Sequence, residues 1–238
     1  MKLSVVIPVY NEESTIGEVI DRVSDVPIEK EIIVVDDGST DRTAEIVHTR
    51  EAKVRQIHEG RANFGKGAAI RIGLTYVEGD IVVIQDADLE LDPNEYRALL
   101  EPITSGRADV VYGSRFLGRN PRVPLRTRLA NRFLVLLTNV LYGSRLTDME
   151  TAYKMFRTSV VREIRLESHR FEIEPEITAK LLRMGNRIVE VPISYSPRTA
   201  LEGKTIGMRD GILAIWTLLR FRVASRSSLR ERRKTPRR

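Results

Sequence analysis

The chain has no cysteine, which excludes disulfides, thiolate zinc sites and cysteine nucleophiles. Histidine is scarce. The three present, His48, His58 and His169, are scattered and show no metal-ligand spacing. No stretch reaches the roughly 18–20 apolar residues needed to span a bilayer. Met1-Lys2-Leu3 leads directly into an apolar run, so no signal peptide is expected and a cytosolic protein is. Gly65-Lys66-Gly67 lacks the spacing and the following Ser/Thr of a P-loop, which removes that class of NTPases. There is no internal repeat and no low-complexity linker. What is present is 238 residues, 42% apolar and 30% charged, enough for one large α/β domain with a substantial core.

The net charge of +6 is unevenly spread. Residues 220–238 hold nine Arg or Lys against the single acid Glu231, so the rest of the chain is slightly acidic. The natural division is a domain over 1–220 and a basic tail over 221–238. Such a tail suits an anionic membrane surface, with a plain solvated terminus as the alternative. Nucleic acid is not expected as a partner, because Phe221 is the only aromatic residue among those arginines.

Strand and helix patterns alternate from the start. Residues 3–9, 31–36, 54–57, 80–85 and 108–112 read as strands, and 12–24, 41–50, 66–77 and 93–105 as helices. Continuous apolar strands separated by helices predict a mostly parallel sheet covered on both faces. Right-handed crossovers then gather the loops after the strands along one edge, where open α/β sheets bind ligands. Asn11, Asp36, Asp37, Asp86, Asp88 and Arg115 all fall in those loops. Two further helices, about 125–142 and 209–221, carry apolar residues at helical spacing beside many arginines. They either pack on the core or lie on a bilayer with Trp216 and the arginines at headgroup level.

The chemistry centres on Ile81-Val82-Val83-Ile84-Gln85-Asp86-Ala87-Asp88-Leu89-Glu90. A buried strand ending in Asp-x-Asp can hold a hard divalent cation, Mg²⁺ or Mn²⁺, against a diphosphate. Asp86 and Asp88 are the expected metal ligands, and Glu90 could complete the set. Asp36-Asp37-Gly38-Ser39 offers carboxylates to a base or ribose, and Pro8-Val9-Tyr10-Asn11-Glu12 offers a ring and a carboxylate. Arg115, then Arg128 and Arg132, then Arg198 and Lys204, form three basic sets suited to phosphate oxygens.

These segments, with Asn63-x-Gly65-Lys66-Gly67 and Gly113-Ser114-Arg115, resemble family 2 glycosyltransferases of the GT-A fold. The likeness is greatest to dolichol-phosphate mannose synthases and related polyprenyl-phosphate glycosyltransferases, in their short form without transmembrane helices. It covers about residues 3–220. In Thr147-Asp148-Met149-Glu150-Thr151-Ala152-Tyr153-Lys154, Ala152 stands where the family usually has Gly and Lys154 where it usually has Arg. The resemblance implies a Rossmann-like GT-A domain with a mostly parallel central sheet and helices on both faces. It implies that Pro8, Tyr10, Glu12, Asp36, Asp37, Lys66, Asp86, Arg198 and Lys204 bind the nucleotide sugar. Arg115, Arg128 and Arg132 would bind the acceptor phosphate, with Asp88 and Arg115 at the centre of catalysis.

The implied reaction is inverting transfer of a mannose- or glucose-type sugar to a polyprenyl phosphate at the cytosolic membrane face. GDP-mannose is the favoured donor and UDP-glucose the second. No protein partner is indicated. The competing reading is a metal-dependent inverting enzyme with a sugar-hydroxyl acceptor. That enzyme needs a carboxylate base, for which Asp148, Glu172 and above all Glu174 are the candidates.

Overall fold

In the computed structural model, residues 1–118, 123, 125–198 and 207–231 are described. The first strand, β1 (Leu3–Val9), is buried at every position, and so nearly is β2 (Lys30–Asp36). Their side chains alternate between two apolar layers. Val5, Ile7, Ile32 and Val34 face one, and Val6, Ile33 and Val35 the other. A strand that is apolar on both sides must be covered on both sides. Helices α1 (Ile16–Asp25), α2 (Thr43–His48) and α4 (Tyr96–Thr104) cover the first layer. Helices α3 (Lys66–Thr75), α6 (Thr158–Arg162) and α7 (Ile173–Arg183) cover the second.

The remaining strands are β3 (Gln56–Glu59), β4 (Ile81–Ile84), β5 (Val110–Ser114), β6 (Lys154–Arg157) and β7 (Ile188–Pro192). They form one seven-stranded sheet in the order β3-β2-β1-β4-β6-β5-β7. All neighbours are parallel except β6, which runs antiparallel between β4 and β5. Sequence patterning gave no sign of β6. Its four residues, Lys-Met-Phe-Arg, start with a lysine, which does not read as the opening of a central strand. The strands and helices expected up to residue 112, and the helices near 125–142 and 209–221, stand within a few residues of their expected places, whereas β7, α6 and α7 were not foreseen.

The start of the sheet is tied by one buried carboxylate. Glu31 meets Lys2 at 2.5 Å and accepts hydrogen bonds from Ser4 Oγ, Glu78 N and Gly79 N. Burial alone would raise its carboxyl; the Lys2 ammonium and these donors bring it down to about 2. This knot holds the beginnings of β1, β2 and β4 together, at the end of the sheet away from the Asp-x-Asp turn.

A third apolar cluster lies outside the two sheet layers. It joins α7 to α5 (Leu125–Tyr142), α8 (Met208–Val223) and α9 (Arg226–Leu229). Leu134, Val135, Leu218, Phe221 and Leu229 are its buried residues, and Tyr142 donates to the Leu218 carbonyl at 2.6 Å. The boundary expected at residue 220 therefore falls inside α8. Residues 221–231 belong to the body: Phe221 and Leu229 are buried, and Arg230 bridges to Ile164. Residues 232–238 lie outside the described part. Among the described residues no helix is long and apolar enough to cross a membrane.

Candidate active site

The carboxyl ends of β1, β2 and β4 open on a cleft of about 470 Å³. Pro8 reaches it from the end of β1, Tyr10 and Glu12 from the loop after β1, Asp37 from the loop after β2, and Asp86 and Asp88 from the turn after β4. Lys66 comes from the first turn of α3, and Arg198 from the segment beyond β7.

Local chemistry shapes each loop. Asn11 sits in the left-handed region (φ +51°), which a short polar side chain tolerates, and its Oδ1 accepts from Thr40 N at 2.8 Å. Asp37 accepts from Phe64 N at 3.0 Å and Gly65 N at 2.5 Å, so its carboxylate holds the glycine loop in place. Gly65 has φ +100°, and a Cβ there would stand 2.5 Å from the His169 carbonyl. A Cβ on Gly67 would stand 2.7 Å from the Ser168 carbonyl. Only glycine lets the start of α3 approach the 168–170 backbone, which brings Arg170 and Phe171 to the cleft.

The Asp-x-Asp turn is braced from beneath. Gln85 Oε1 accepts from the buried hydroxyls of Tyr96 and Tyr153, each at 2.7 Å. Thr15 donates to the Ala87 carbonyl at 2.7 Å. Leu89 has φ +60°, a conformation that costs a bulky residue of order 1–3 kcal/mol. The surrounding contacts maintain that strain.

Behind the turn runs a line of alternating charges. Lys66 Nζ is 2.7 Å from Asp86 Oδ1 and 3.0 Å from Glu174 Oε1. The other oxygen of Glu174 meets Lys154 Nζ, which also donates to the carbonyls of Met149 and Thr151. Burial works to lower the Lys66 ammonium, but Asp86 and Glu174 outweigh it and raise it above the ordinary lysine range. Burial works to raise the Glu174 carboxyl, and Lys154 and Lys66 hold it below its usual value. Glu150, beside this line, has no strong partner, and burial pushes its carboxyl up to about 7.

Eight of the expected residues line the cleft together: Pro8, Tyr10, Glu12, Asp37, Lys66, Asp86, Asp88 and Arg198. The others stand elsewhere. Asp36 is buried and its Oδ1 accepts from Ser39 N at 2.8 Å, a turn-forming contact. Arg115 grips Asp148 through Nε at 2.7 Å and Nη2 at 2.9 Å, with its guanidinium 5.2 Å from the Tyr195 ring centroid. Arg128 and Arg132 are exposed on α5, outside the cleft lining. Lys204 lies outside the described residues.

Glu90 has its carboxylate held by the segment beyond β7. It accepts from Tyr195 Oη at 3.1 Å and from Arg198 N at 3.2 Å, and its carbonyl accepts from Ser196 N. Arg198 then reaches back over the turn, to the Asp88 carbonyl at 3.0 Å and to Glu12 Oε2 at 2.6 Å. Glu90 thus anchors the strap that carries Arg198.

The donor set tests the metal expectation. Among the described residues no group of three or more His, Cys, Asp or Glu is placed to cage an ion. Asp86 and Asp88 supply oxygen donors at i, i+2 on the cleft wall. One or two carboxylates completed by phosphate oxygens and water is how Mg²⁺ is usually held. The residues fit a metal shared with a diphosphate ligand.

Two of the three candidate bases for a hydroxyl acceptor are fully engaged, and Glu172 keeps one oxygen, Oε2, without a hydrogen-bond partner among the described residues. Glu174 is buried with both oxygens on lysines, and Asp148 is buried and paired with Arg115. Glu172 Oε1 accepts from His169 N and Arg170 N. Sequence reasoning assigned no role to Arg170 and Phe171. The close-packed pair Gly65 and Gly67 was the available signal that another backbone must lie against that loop.

A family model described as Glycosyl transferase family 2 matches residues 4–165. An undecaprenyl-phosphate mannosyltransferase of Micrococcus luteus is 30% identical over 94% of this chain and 99% of its own. A dolichol-phosphate mannosyltransferase of Pyrococcus furiosus is 31% identical over 87% of this chain and 61% of its own length. Among solved structures, glucosyl-3-phosphoglycerate synthase of Mycobacterium tuberculosis in complex with Mg²⁺ and UDP matches with TM-score 0.70 and 25% identity. That match covers 92% of this chain and 79% of the other. The sheet with its flanking helices is thus GT-A-like.

Proposed function

Because the chain belongs to glycosyltransferase family 2, and is a glycosyltransferase with polyprenyl-phosphate sugar transferases among its relatives, we propose that it moves a hexose from a nucleotide sugar to a polyprenyl phosphate. The observation that carries this reading is the joint placement of Asp86, Asp88, Lys66 and Arg198 in one cleft, with Glu174, the foremost nominated base, held by two lysines and Asp148 paired with Arg115.

The donor's nucleoside lies against Pro8, Tyr10 and Asp37, with the base on the Tyr10 ring and Glu12 toward the ribose. Its diphosphate lies between Lys66, Arg198 and the Asp-x-Asp turn. Asp86 and Asp88 would hold Mg²⁺ or Mn²⁺ there, and the metal would neutralise charge on the departing diphosphate. Lys66 and Arg198 add fixed positive charge at the same place, where charge grows in the transition state.

A phosphate oxygen of the acceptor attacks the anomeric carbon as the bond to the diphosphate breaks, and the attack from the opposite face inverts that carbon. The second pKa of a phosphomonoester is about 6, so the nucleophile is ionised at neutral pH and needs no base. Arg115 stays protonated at every working pH, because Asp148 outweighs burial and raises its guanidinium. It and the arginines of α5 are the cations proposed for the acceptor phosphate. GDP-mannose is the favoured donor and UDP-glucose the second.

The acceptor's lipid tail needs an apolar surface, and α5 and α8 offer one. On α5 the exposed side of the helix carries Leu125, Leu129, Phe133, Leu136 and Val140. On α8, Ile212, Leu213, Trp216, Leu219 and Val223 are exposed in the same way, Trp216 at 63%. These rows, with Arg128, Arg132, Arg209 and Arg222 exposed on the same helices, suit peripheral binding to the anionic cytosolic leaflet.

An acceptor comparison tests the reading. Purified protein with labelled donor should glycosylate a polyprenyl phosphate and leave the matching polyprenol unlabelled. Equal transfer to the unphosphorylated alcohol would require a base and overturn it.

A further inference from the structure

Glu174 has no place in the transfer chemistry above, yet it is buried beside the cleft with two lysines on it. Its Oε2 is held by Lys154, which is itself anchored on the Met149 and Thr151 carbonyls. That grip fixes the rotation of the carboxylate. Its Oε1 then points at Lys66 Nζ, 3.0 Å away, while the same ammonium stands 2.7 Å from Asp86 Oδ1. Lys66 is therefore shared between a carboxylate that cannot move and one that lines the cleft.

A lone ammonium on Asp86 would compete with any divalent cation for that oxygen, since both need the same lone pairs and repel each other. A second carboxylate on the far side of the ammonium changes the balance. When a cation arrives at Asp86, Lys66 keeps a partner without entering water, and its charge remains beside the cleft for the diphosphate.

We propose that Glu174 is a positioning residue for donor binding: held by Lys154, it gives Lys66 a second partner, so that a divalent cation arriving at Asp86 can displace the ammonium toward Glu174. This rests on the reading of Asp86 and Asp88 as the metal–diphosphate site. It accounts for a feature otherwise unexplained, a lysine buried at the start of a central strand where an apolar residue would pack at less cost. Partners that orient a metal ligand from behind usually matter by roughly 10–100-fold in metal affinity.

The test compares wild type, Glu174→Gln and the double variant Lys154→Met/Glu174→Gln. The double variant removes both buried charges, so it stays folded where the single variant leaves Lys154 unpaired. Thermal unfolding confirms this, calorimetry follows UDP and GDP with Mn²⁺, and electron paramagnetic resonance follows Mn²⁺ alone. The double variant should bind Mn²⁺ and the Mn²⁺-nucleotide roughly 10–100-fold more weakly. The donor KM should rise more than kcat falls. Adding Lys66→Met should recover Mn²⁺ occupancy, because the competing ammonium is gone. A folded double variant that binds as wild type does would overturn the proposal alone. Wild type that binds neither nucleotide with Mn²⁺ would overturn the donor-site reading and this proposal with it.

Discussion

Asp86 and Asp88 were legible as a pair because an i, i+2 spacing at the end of an apolar strand has few structural reasons to exist. Glu90, at the next i+2, looked equivalent, and Leu89 is why it is not. Its positive φ turns the chain between the two carboxylates, and Glu90 ends on Tyr195 and Arg198. Arg170 reaches the site from far along the chain, so no local pattern could announce it, and Glu174, nominated as a base, is instead held between two lysines. Glu150 gives a prediction at this scale. Its folded carboxyl is pushed up to about 7 from an ordinary 4.5, so the folded state holds that proton more tightly than the unfolded state. Stability should therefore fall as pH rises from about 4.5 to about 7 and then level off. Glu150→Gln, which mimics the protonated group, should raise stability at pH 8 by roughly 1–3 kcal/mol and change little at pH 4.5. Thermal unfolding at the two pH values checks this, and an equal shift at both would contradict it.

Among the elements, the strands that pack apolar residues on both faces were readable, and β6 was not. Its opening Lys154 is buried against the Met149 and Thr151 carbonyls and against Glu174 of α7, partners that no local pattern reveals. Helices α5 and α8 were also readable, but their periodicity could not separate packing from membrane contact. In the structure each helix packs one face on the body and leaves the other exposed. Leu134, Val135 and Leu218 face the body, while Phe133, Leu136 and Trp216 face outward. Burying one such side chain is worth about 1.5–3 kcal/mol. The double variant Phe133→Glu/Trp216→Glu should therefore bind anionic vesicles at least about tenfold more weakly in sedimentation. Its melting temperature should stay near that of wild type, because both residues are exposed. Unchanged vesicle binding would leave the helix pair without a membrane role.

For the molecule as a whole, the sheet edge was the sound inference: parallel strands bring separate loops to one cleft whatever the loops contain. The charge map was only partly readable, because residues 221–231 pack on the body instead of extending from it. Residues 232–238 carry five Arg or Lys and no acid. Near an anionic surface each contributes about 1 kcal/mol, screened by salt. Deleting them should weaken binding to anionic vesicles at low salt much more than at high salt. It should leave transfer to a detergent-dispersed short-chain acceptor unchanged; lost transfer in detergent would place the segment in catalysis instead. The central claim is metal-dependent sugar transfer to a lipid phosphate at the Asp-x-Asp turn. Its most direct test follows label from GDP-mannose and, separately, UDP-glucose into the organic phase, with Mn²⁺ or with EDTA, for wild type and a folded Asp88→Ala variant. One donor should label the lipid with Mn²⁺, and EDTA or Asp88→Ala should lower the rate by about 100-fold or more. Label that survives both EDTA and the loss of Asp88 would contradict the account.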